Sequence, residues 1–418
     1  MSAHQTIMIH DYAGHPFTAE LSRALAKRGW EVHHVLFSGD AGPKGRNARL
    51  PNDPPSLTFH GLTISGDYSK TNFIRRRQGD IAYGRQLAEL VKEVRPWLVL
   101  SGNTPTETQE LLVQACRTCS AAFIYWCQDF YSIAASRILE KKLPGPGHLV
   151  GRYYTFLERR QMRQADHVVH ITDAFRAQTD HWGIPPEKVS VIPNWGVIDE
   201  IPVLDHNTKW AVEKGLKAGP RFVYSGTLAT KHNPKLLSKL ARAVEGEGEV
   251  VVVAAGVGVD TLSREAQDDG LPALKLLPLQ PFERFPEVLG SADVLVAMIE
   301  VEAGEFSVPS KILSYLCAGR PIVLAAPEDN LAAQIVSSTG AGRVVAPGDI
   351  DGAIAAARAF AADPELAARA GAAGRAYAEE NFDLPTVAAA FESIFAPILG
   401  TSRATTVRNG GTHVPHPE

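Results

Sequence analysis

Apolar residues along this chain come in short runs, separated by longer stretches in which they recur with helical spacing, and the two patterns alternate almost from end to end. A short run of Val, Ile and Leu reads as a strand buried on both faces, and the periodic stretches read as helices that cover those faces. Strands are predicted at Thr6–Ile9, Glu31–Phe37, Trp97–Leu100, Ala122–Trp126, His167–Ile171 and Val189–Ile192. Helices at Thr18–Arg28, Ala82–Val94, Pro105–Cys116, Val150–Arg163 and Asp173–His181 fall among them. After a looser, polar, proline-containing stretch, Trp195–Pro220, strands resume at Phe222–Tyr224, Glu249–Ala254, Leu274–Leu277, Val294–Met298, Pro321–Leu324 and Gly342–Val345. Three alanine-rich helices, Ala353–Ala362, Glu365–Glu380 and Pro385–Ile398, close the pattern, and Thr401–Glu418, polar and without period, reads as a disordered tail.

Alternation of this kind builds parallel sheets with crossover helices. The expected fold class is α/β, with two facing Rossmann-like domains and a cleft between them. The first domain spans residues 1–200 and the second residues 201–384; a helix at 385–400 crosses back to the first, and 401–418 is the tail.

Composition narrows the class without naming it. With 418 residues, 45% hydrophobic and 21% charged, the chain is ordinary for a folded α/β protein of two or three domains. A net charge of −4 argues against nucleic acid as the main ligand. The first residues lack a basic segment followed by an apolar core, and no run of 18 apolar residues occurs, so neither a secretory signal nor a spanning helix is expected. Four cysteines in this length suit a reducing compartment, and Cys116 and Cys119 lack the second pair that a zinc site needs. A cytoplasmic enzyme is expected.

Residues 308–320 carry the most chemistry. Val308 and Pro309 lead into a helix, Gly319 stops it, and Ser310 and Lys311 occupy the first turn, where free backbone N–H groups and the positive dipole end meet. Ser314 shares their face, while Ile312, Leu313, Leu316 and Cys317 form a stripe for burial. A first-turn lysine opposes the dipole unless an anion lies between them. The segment is therefore read as a phosphate site; the plainer reading is an amphipathic helix with a stray lysine.

Four further places are candidates. Gly14 and His15 lie in the loop after the first strand, Gly14 allowing close ligand approach and His15 offering a sugar or phosphate contact, with an ordinary surface-loop histidine as the alternative. Gly226 and Thr227 end the first strand of the second half, with Lys231 beyond them as a second cation for a diphosphate. Gly256, in a glycine loop after the strongest β run, suits either a base or ribose wall or a plain turn. Asp129 follows the strand Ala122–Trp126 and is read as orienting or deprotonating an acceptor hydroxyl, with Gln128 and Asn103 as neighbouring acceptor contacts; helix capping is the alternative for Asp129. Glu300, Glu302 and Glu305 precede the phosphate helix, Glu305 nearest it. His10, His170 and His232 have no metal-ligand spacing and no D-x-D pair stands where a metal-dependent sugar transferase would place it, so no metal and no cofactor are expected. Two basic groups, Lys70 with Arg75–Arg77 and Arg137 with Lys141 and Lys142, fit a solvated surface or a contact with an anionic membrane or a diphosphate-bearing acceptor.

Together these segments resemble the retaining, nucleotide-sugar-dependent glycosyltransferases of family four, with their type-B fold. The resemblance rests on His10–Phe17, Ile192–Trp195, Tyr224–Leu228, Asp293–Val296 and Val308–Lys311 through Ile322, and it looks closest to the bacterial surface-polysaccharide branch. It implies transfer of a sugar from a nucleotide-diphosphate donor to a saccharide or lipid-linked hydroxyl acceptor with the anomeric configuration kept. Asp129, Lys231 and Lys311 would be catalytic. Gly14, Gly226, Thr227, Gly256, Glu305, Val308, Ser310 and Ser314 would bind the donor, and His15, Asn103 and Gln128 the acceptor. The chain departs from the family where Ser314 takes the place of the second of two glutamates eight positions apart, and where Ala229 replaces a basic residue. An epimerase of similar fold, or a nucleotide-sugar-binding partner protein without activity, are the alternatives.

Overall fold

The computed structural model describes residues 5–39, 44–64, 73–228, 233–299 and 310–409. Two units form separately: Met1–Asp40, Arg46–Pro193 and Leu384–Glu418 make one, and Ala41–Gly45 with Asn194–Asp383 the other.

The first sheet runs β3-β2-β1-β4-β5-β6-β7, with β1 Thr6–Asp11, β2 Glu31–Phe37, β3 Leu57–Leu62, β4 Leu98–Gly102, β5 Ala122–Cys127, β6 His167–His170 and β7 Val189–Val191. The second runs β10-β9-β8-β11-β12-β13, with β8 Arg221–Thr227, β9 Glu249–Ala255, β10 Leu274–Leu277, β11 Val294–Met298, β12 Ile322–Ala325 and β13 Gly342–Val345. Both are parallel, as the alternation predicted. Their central strands are buried on both faces: Ile7, Met8, Ile9, Leu98, Val99 and Leu100 expose no surface. In each sheet the strand order reverses once, between β1 and β4 and between β8 and β11. Chains leaving the carboxyl ends of such a pair diverge, which opens the place where α/β sheets bind ligands.

In the first unit the helices are α1 Pro16–Lys27, α2 Phe73–Val94, α3 Thr106–Cys119, α4 Tyr131–Lys142 and α5 Pro146–Gln164. Several extend beyond what the pattern predicted. The α2 helix starts at Phe73 rather than Ala82, because Arg77 pairs with Glu107 at 3.0 Å and Arg76 with Asp80 at 3.8 Å where an apolar stripe is missing. The edge strand β3 lacks a clean alternation and is held by its register with β2, from Val32 opposite Leu57 onward. The stretch Trp195–Pro220 is less loose than expected. It holds a short helix, Lys209–Glu213, capped by the Thr208 hydroxyl, and buries Trp195 and Trp210.

The last helix runs from Leu384 to Asn409, so 401–409 is helical rather than tail; no Pro or Gly between Thr401 and Asn409 interrupts it. Its Phe391 and Phe395 are fully buried, Phe391 edge-on to Trp126 and Phe395 edge-on to Trp30, and Glu392 accepts from Arg28 at 2.6 Å and from the Trp30 indole at 2.8 Å. The stretch Pro364–Leu399 is long and apolar enough to cross a membrane by length and composition, but it is two helices, broken at Phe382–Asp383.

The α4 helix, absent from the sequence expectation, starts on a buried carboxylate. Glu158 of α5 accepts from the Ser132 backbone N–H at 3.1 Å, the Ser132 hydroxyl at 2.5 Å and the Tyr125 hydroxyl at 3.1 Å. Burial outweighs these donors and raises the Glu158 carboxyl from 4.5 to about 7. A raised carboxyl pKa means that stability from this group is complete below about pH 4.5 and is lost as pH rises through about 7. Glu158→Gln should therefore flatten the fall in stability between pH 5 and pH 8 by up to about 3 kcal/mol, read from denaturant midpoints at each pH. An unchanged pH slope would show that Glu158 titrates normally.

Candidate active site

At the carboxyl end of β1 sits Asp11, with no exposed surface. A charge buried there is tolerable only if donors surround it. It accepts from the His15 backbone N–H at 2.5 Å, the His15 Nδ1 at 3.1 Å, the Thr18 hydroxyl at 3.0 Å and the Asn103 amide at 2.9 Å. Gly14, at φ +70°, makes the tight turn that brings His15 back over Asp11; a Cβ there would lie 2.8 Å from the Asn47 amide nitrogen. Asn103 adopts the left-handed conformation at φ +53°, one that asparagine tolerates better than most residues, in the turn from which its amide reaches Asp11. The His15 side chain remains about a quarter exposed, at 26%.

Burial favours the neutral forms of this pair, but their attraction wins: the Asp11 carboxyl is held well below its usual range and the His15 imidazole is raised above 6.5. Next to them His10, fully buried, is pushed down to about 3 by desolvation and stays neutral. Ser101 donates to the Gln109 side-chain oxygen at 2.9 Å and so accepts from His10 Nδ1 at 2.9 Å, leaving His10 Nε2 to accept from the Tyr83 hydroxyl at 3.0 Å.

Beside this cluster lies a pocket of about 110 Å³, whose lining includes Ser101, Asn103, Gln109, Gln128, Asp129 and Tyr131. Asn103, Gln128 and Asp129, named separately from the sequence, thus line one cavity, and Asn103 links it to His15. Asp129 does not cap α4; the residue at the cap is Phe130, with no side-chain capping bond.

In the second unit, Lys311 stands in the first turn of the helix Ser310–Cys317. Its ammonium donates to the Tyr224 hydroxyl at 2.6 Å and lies 4.0 Å from the centre of that ring. The Tyr224 hydroxyl in turn donates to the Thr227 carbonyl at 2.8 Å. Gly226, at φ +133°, passes so close that a Cβ would sit 3.6 Å from Lys311 Nζ. Gly226, Thr227 and Lys311 are therefore gathered at one strand end. Tyr315, fully buried, fixes the arrangement by accepting from the Ser225 backbone N–H at 2.9 Å. Ile312, Leu313, Leu316 and Cys317 are buried as the helical pattern predicted, and half-buried Ser314 is one turn beyond Lys311.

Gly256, at φ +116°, meets a different demand. A Cβ there would lie 2.6 Å from the Leu228 carbonyl oxygen, so the glycine is required by the chain's own packing. Lys231, Glu305 and Val308, with Glu300 and Glu302, lie outside the described residues, and of Ser310 only the backbone is described. The residues that sequence reasoning passed over are Asp11, Tyr224 and Tyr315. Each stood inside a quoted segment, and the available signal was a polar side chain on an otherwise apolar run. Among the described residues no three His, Cys, Asp or Glu side chains gather as metal ligands.

His15's share of stability is complete below about pH 6.5 and is lost as pH climbs through its raised pKa, whereas Asp11's is complete above about 3.8 and lost only as pH falls towards its depressed one. Asp11→Asn removes the counter-charge and leaves donors unmatched. It should bring the His15 imidazole below 6.5, read by NMR titration of its ring protons, and cost about 2–3 kcal/mol of stability. A His15 titration that does not move would refute the pairing.

Two family models match this chain in succession: a glycosyl transferase 4-like domain over residues 14–195 and glycosyl transferases group 1 over residues 207–377. WcaI of Escherichia coli (strain K12), named for glycosyl transfer in colanic acid biosynthesis, is 24% identical over 248 residues, which is 58% of this chain and 60% of that protein. Sucrose-phosphate synthase from Thermosynechococcus elongatus shares the fold, with a TM-score of 0.72 at 15% identity over 95% of this chain and 100% of that one. HepE of Anabaena, solved in complex with UDP-glucose, shares it with a TM-score of 0.67 at 16% identity over 94% and 100%. The two parallel α/β units, with polar clusters at their strand-order reversals, are those of a type-B glycosyltransferase, and the chain belongs to the glycosyltransferase family that joins these two domains.

Proposed function

We propose that this glycosyltransferase moves a sugar from a nucleoside-diphosphate donor to a hydroxyl of a saccharide or lipid-linked acceptor, with retention and without a metal, in the assembly of a cell-surface polysaccharide or glycolipid at the cytoplasmic side of the membrane. The observation that carries this reading is the Lys311 ammonium, held by Tyr224 over Gly226 at the start of a helix. A cation and free backbone N–H groups converging there suit a diphosphate leaving group. Lys231 is assigned as the second cation. The UDP-glucose complex of HepE and the colanic acid biosynthesis in the name of WcaI support the donor class and the pathway class respectively.

As the glycosidic bond to the diphosphate breaks, negative charge gathers on the leaving oxygen, and Lys311 and Lys231 stabilise it. Loss of one such group from a site of this kind costs about 10²–10³ in kcat. The acceptor hydroxyl attacks from the face the diphosphate leaves and passes its proton to the departing diphosphate oxygen. Asp129 orients that hydroxyl, with Gln128, Asn103 and His15 holding the acceptor around the pocket of the first unit. Gly14, Gly256, Ser310, Ser314, Glu305 and Val308 remain assigned to the donor. Ser314, where the family places a glutamate, favours one second reading: a chain that binds nucleotide sugar without transferring it.

Thermal shift with UDP, GDP, dTDP, CMP and ADP, each with and without Mg²⁺, tests the donor half. One nucleotide diphosphate should raise the midpoint equally in both conditions, and Lys311→Ala should abolish that shift while leaving the unliganded midpoint within a few degrees. No shift with any nucleotide would overturn the donor site. A shift without turnover of the matching nucleotide sugar would favour the binding-only reading.

A further inference from the structure

Ten large apolar side chains are recorded as exposed among the described residues, and six of them, Phe73, Ile74, Leu143, Leu149, Tyr153 and Phe156, fall on α2, α5 and the turn before α5. Leu149, Tyr153 and Phe156 follow at i, i+4 and i+7, so they form one stripe along α5, and they are 70%, 48% and 58% exposed. Phe73, in the first turn of α2, packs edge-on against Tyr154 at 6.2 Å, and Tyr154 packs against Tyr153 at 5.8 Å, which joins the two helices into one apolar surface. An apolar surface of this extent on a folded unit marks a contact site.

The support beneath it is rigid. Gly147 and Gly151 let α4 and α5 close on each other, since a Cβ would lie 2.2 Å from the Leu139 carbonyl oxygen and 2.1 Å from the Ser136 hydroxyl. Glu107 of α3 accepts from both Arg77 of α2 and Tyr154 of α5. Arg160 of α5 pairs with Glu110 of α3 at 2.5 Å. These apolar groups are held outward on anchored helices.

Charge identifies what they meet. Between Tyr131 and Arg163 the chain has seven Lys or Arg against two Glu, although its net charge is −4. Of those two glutamates, Glu158 is buried and Glu140 faces His148 at 2.9 Å. Arg75 of α2, Arg137 and Lys141 of α4 and Arg152 of α5 are also exposed. Exposed basic side chains on the same packed helices as exposed Leu, Tyr and Phe match an anionic bilayer, into whose headgroup layer such apolar side chains insert. A second copy of the same face would set like charges against each other. The face also borders the acceptor pocket: the Arg76 guanidinium of α2 lies over the ring of Tyr131, which lines that pocket, at 5.5 Å.

We propose that the α2–α5 face of the first unit docks on an anionic lipid bilayer and so brings the pocket of Gln128 and Asp129 to acceptors lying in it. Flotation of the full chain with vesicles of phosphatidylcholine, alone or with 30 mol% phosphatidylglycerol, tests this at low and high salt. Binding should be at least about ten-fold stronger on the anionic vesicles and weaken with salt. The double variant Leu149→Glu/Phe156→Glu should lose at least about ten-fold of it, with its unfolding midpoint and nucleotide-induced shift unchanged. Leu149→Ser/Phe156→Ser serves if the charged pair does not fold, and Arg75→Glu/Arg152→Glu should remove the preference for anionic lipid. No binding, or binding indifferent to all three variants, would overturn the proposal. So would a dimer in sedimentation that the same variants abolish without any vesicle binding. Nucleotide shifts in solution read the donor site separately, so failure of either idea leaves the other standing.

Discussion

Asp11 has to remain charged in a place that water does not reach, and the upper rim of the first unit follows from that requirement. An isolated buried carboxylate would take up a proton rather than stay ionised. Four donors from three segments prevent this: the β1–α1 loop, the first turn of α1 and the β4–α3 loop. Each donor is costly to lose, so the three segments hold one another in register, and the left-handed turns at Gly14 and Asn103 are held with them. The imidazole of His15 emerges partly exposed with its pKa raised by the carboxylate, while His10, one residue before Asp11 and fully buried, stays neutral. Two histidines five positions apart thus shift in opposite directions because one hydrogen-bonds the carboxylate, whereas the other is desolvated and hydrogen-bonds hydroxyls.

The second unit solves the same problem with phenols. Tyr315 reaches the backbone of Ser225 from the helix Ser310–Cys317 and ties that helix to β8. Tyr224 accepts from Lys311 through its hydroxyl and faces the ammonium with its ring. Neutral groups suit a place where charge is to arrive with a ligand: a carboxylate beside Lys311 would form an ion pair and compete with a diphosphate for it. The first unit keeps its own anion, and in the second the Lys311 ammonium lies over the neutral ring of Tyr224.

How much of this could be read from the sequence depends on the range of the interaction. The parallel sheets, the glycine stop after Cys317 and the buried stripe of the helix before it were legible, because they rest on periodicity and on single residues acting locally. The α2 start, β3 and α4 were not, because each rests on a partner far along the chain: Glu107 for Arg77, β2 for β3, Glu158 for Ser132. In the site, Lys311, Gly226 and Thr227 were legible as a strand end and a helix start. Their organisers Tyr224 and Tyr315 were not, since a tyrosine in an apolar run looks like core until its hydroxyl partner is known.

Glycines show the same division in its sharpest form. Gly226 and Gly256 both lie at strand ends of the second sheet, both have positive φ, and the sequence offered a ligand role for each, with a plain turn as the alternative at Gly256. A side chain at Gly256 would strike the Leu228 carbonyl at 2.6 Å, so that glycine is accounted for by the fold itself. A side chain at Gly226 would meet only the end of Lys311, in ordinary contact at 3.5 Å. Among the described residues nothing in the packing of the second sheet demands such room there. What calls for glycine at Gly226 is its φ of +133°, so the two positions differ in kind: at Gly256 a side chain would also strike the backbone, and at Gly226 the backbone angle alone disfavours one.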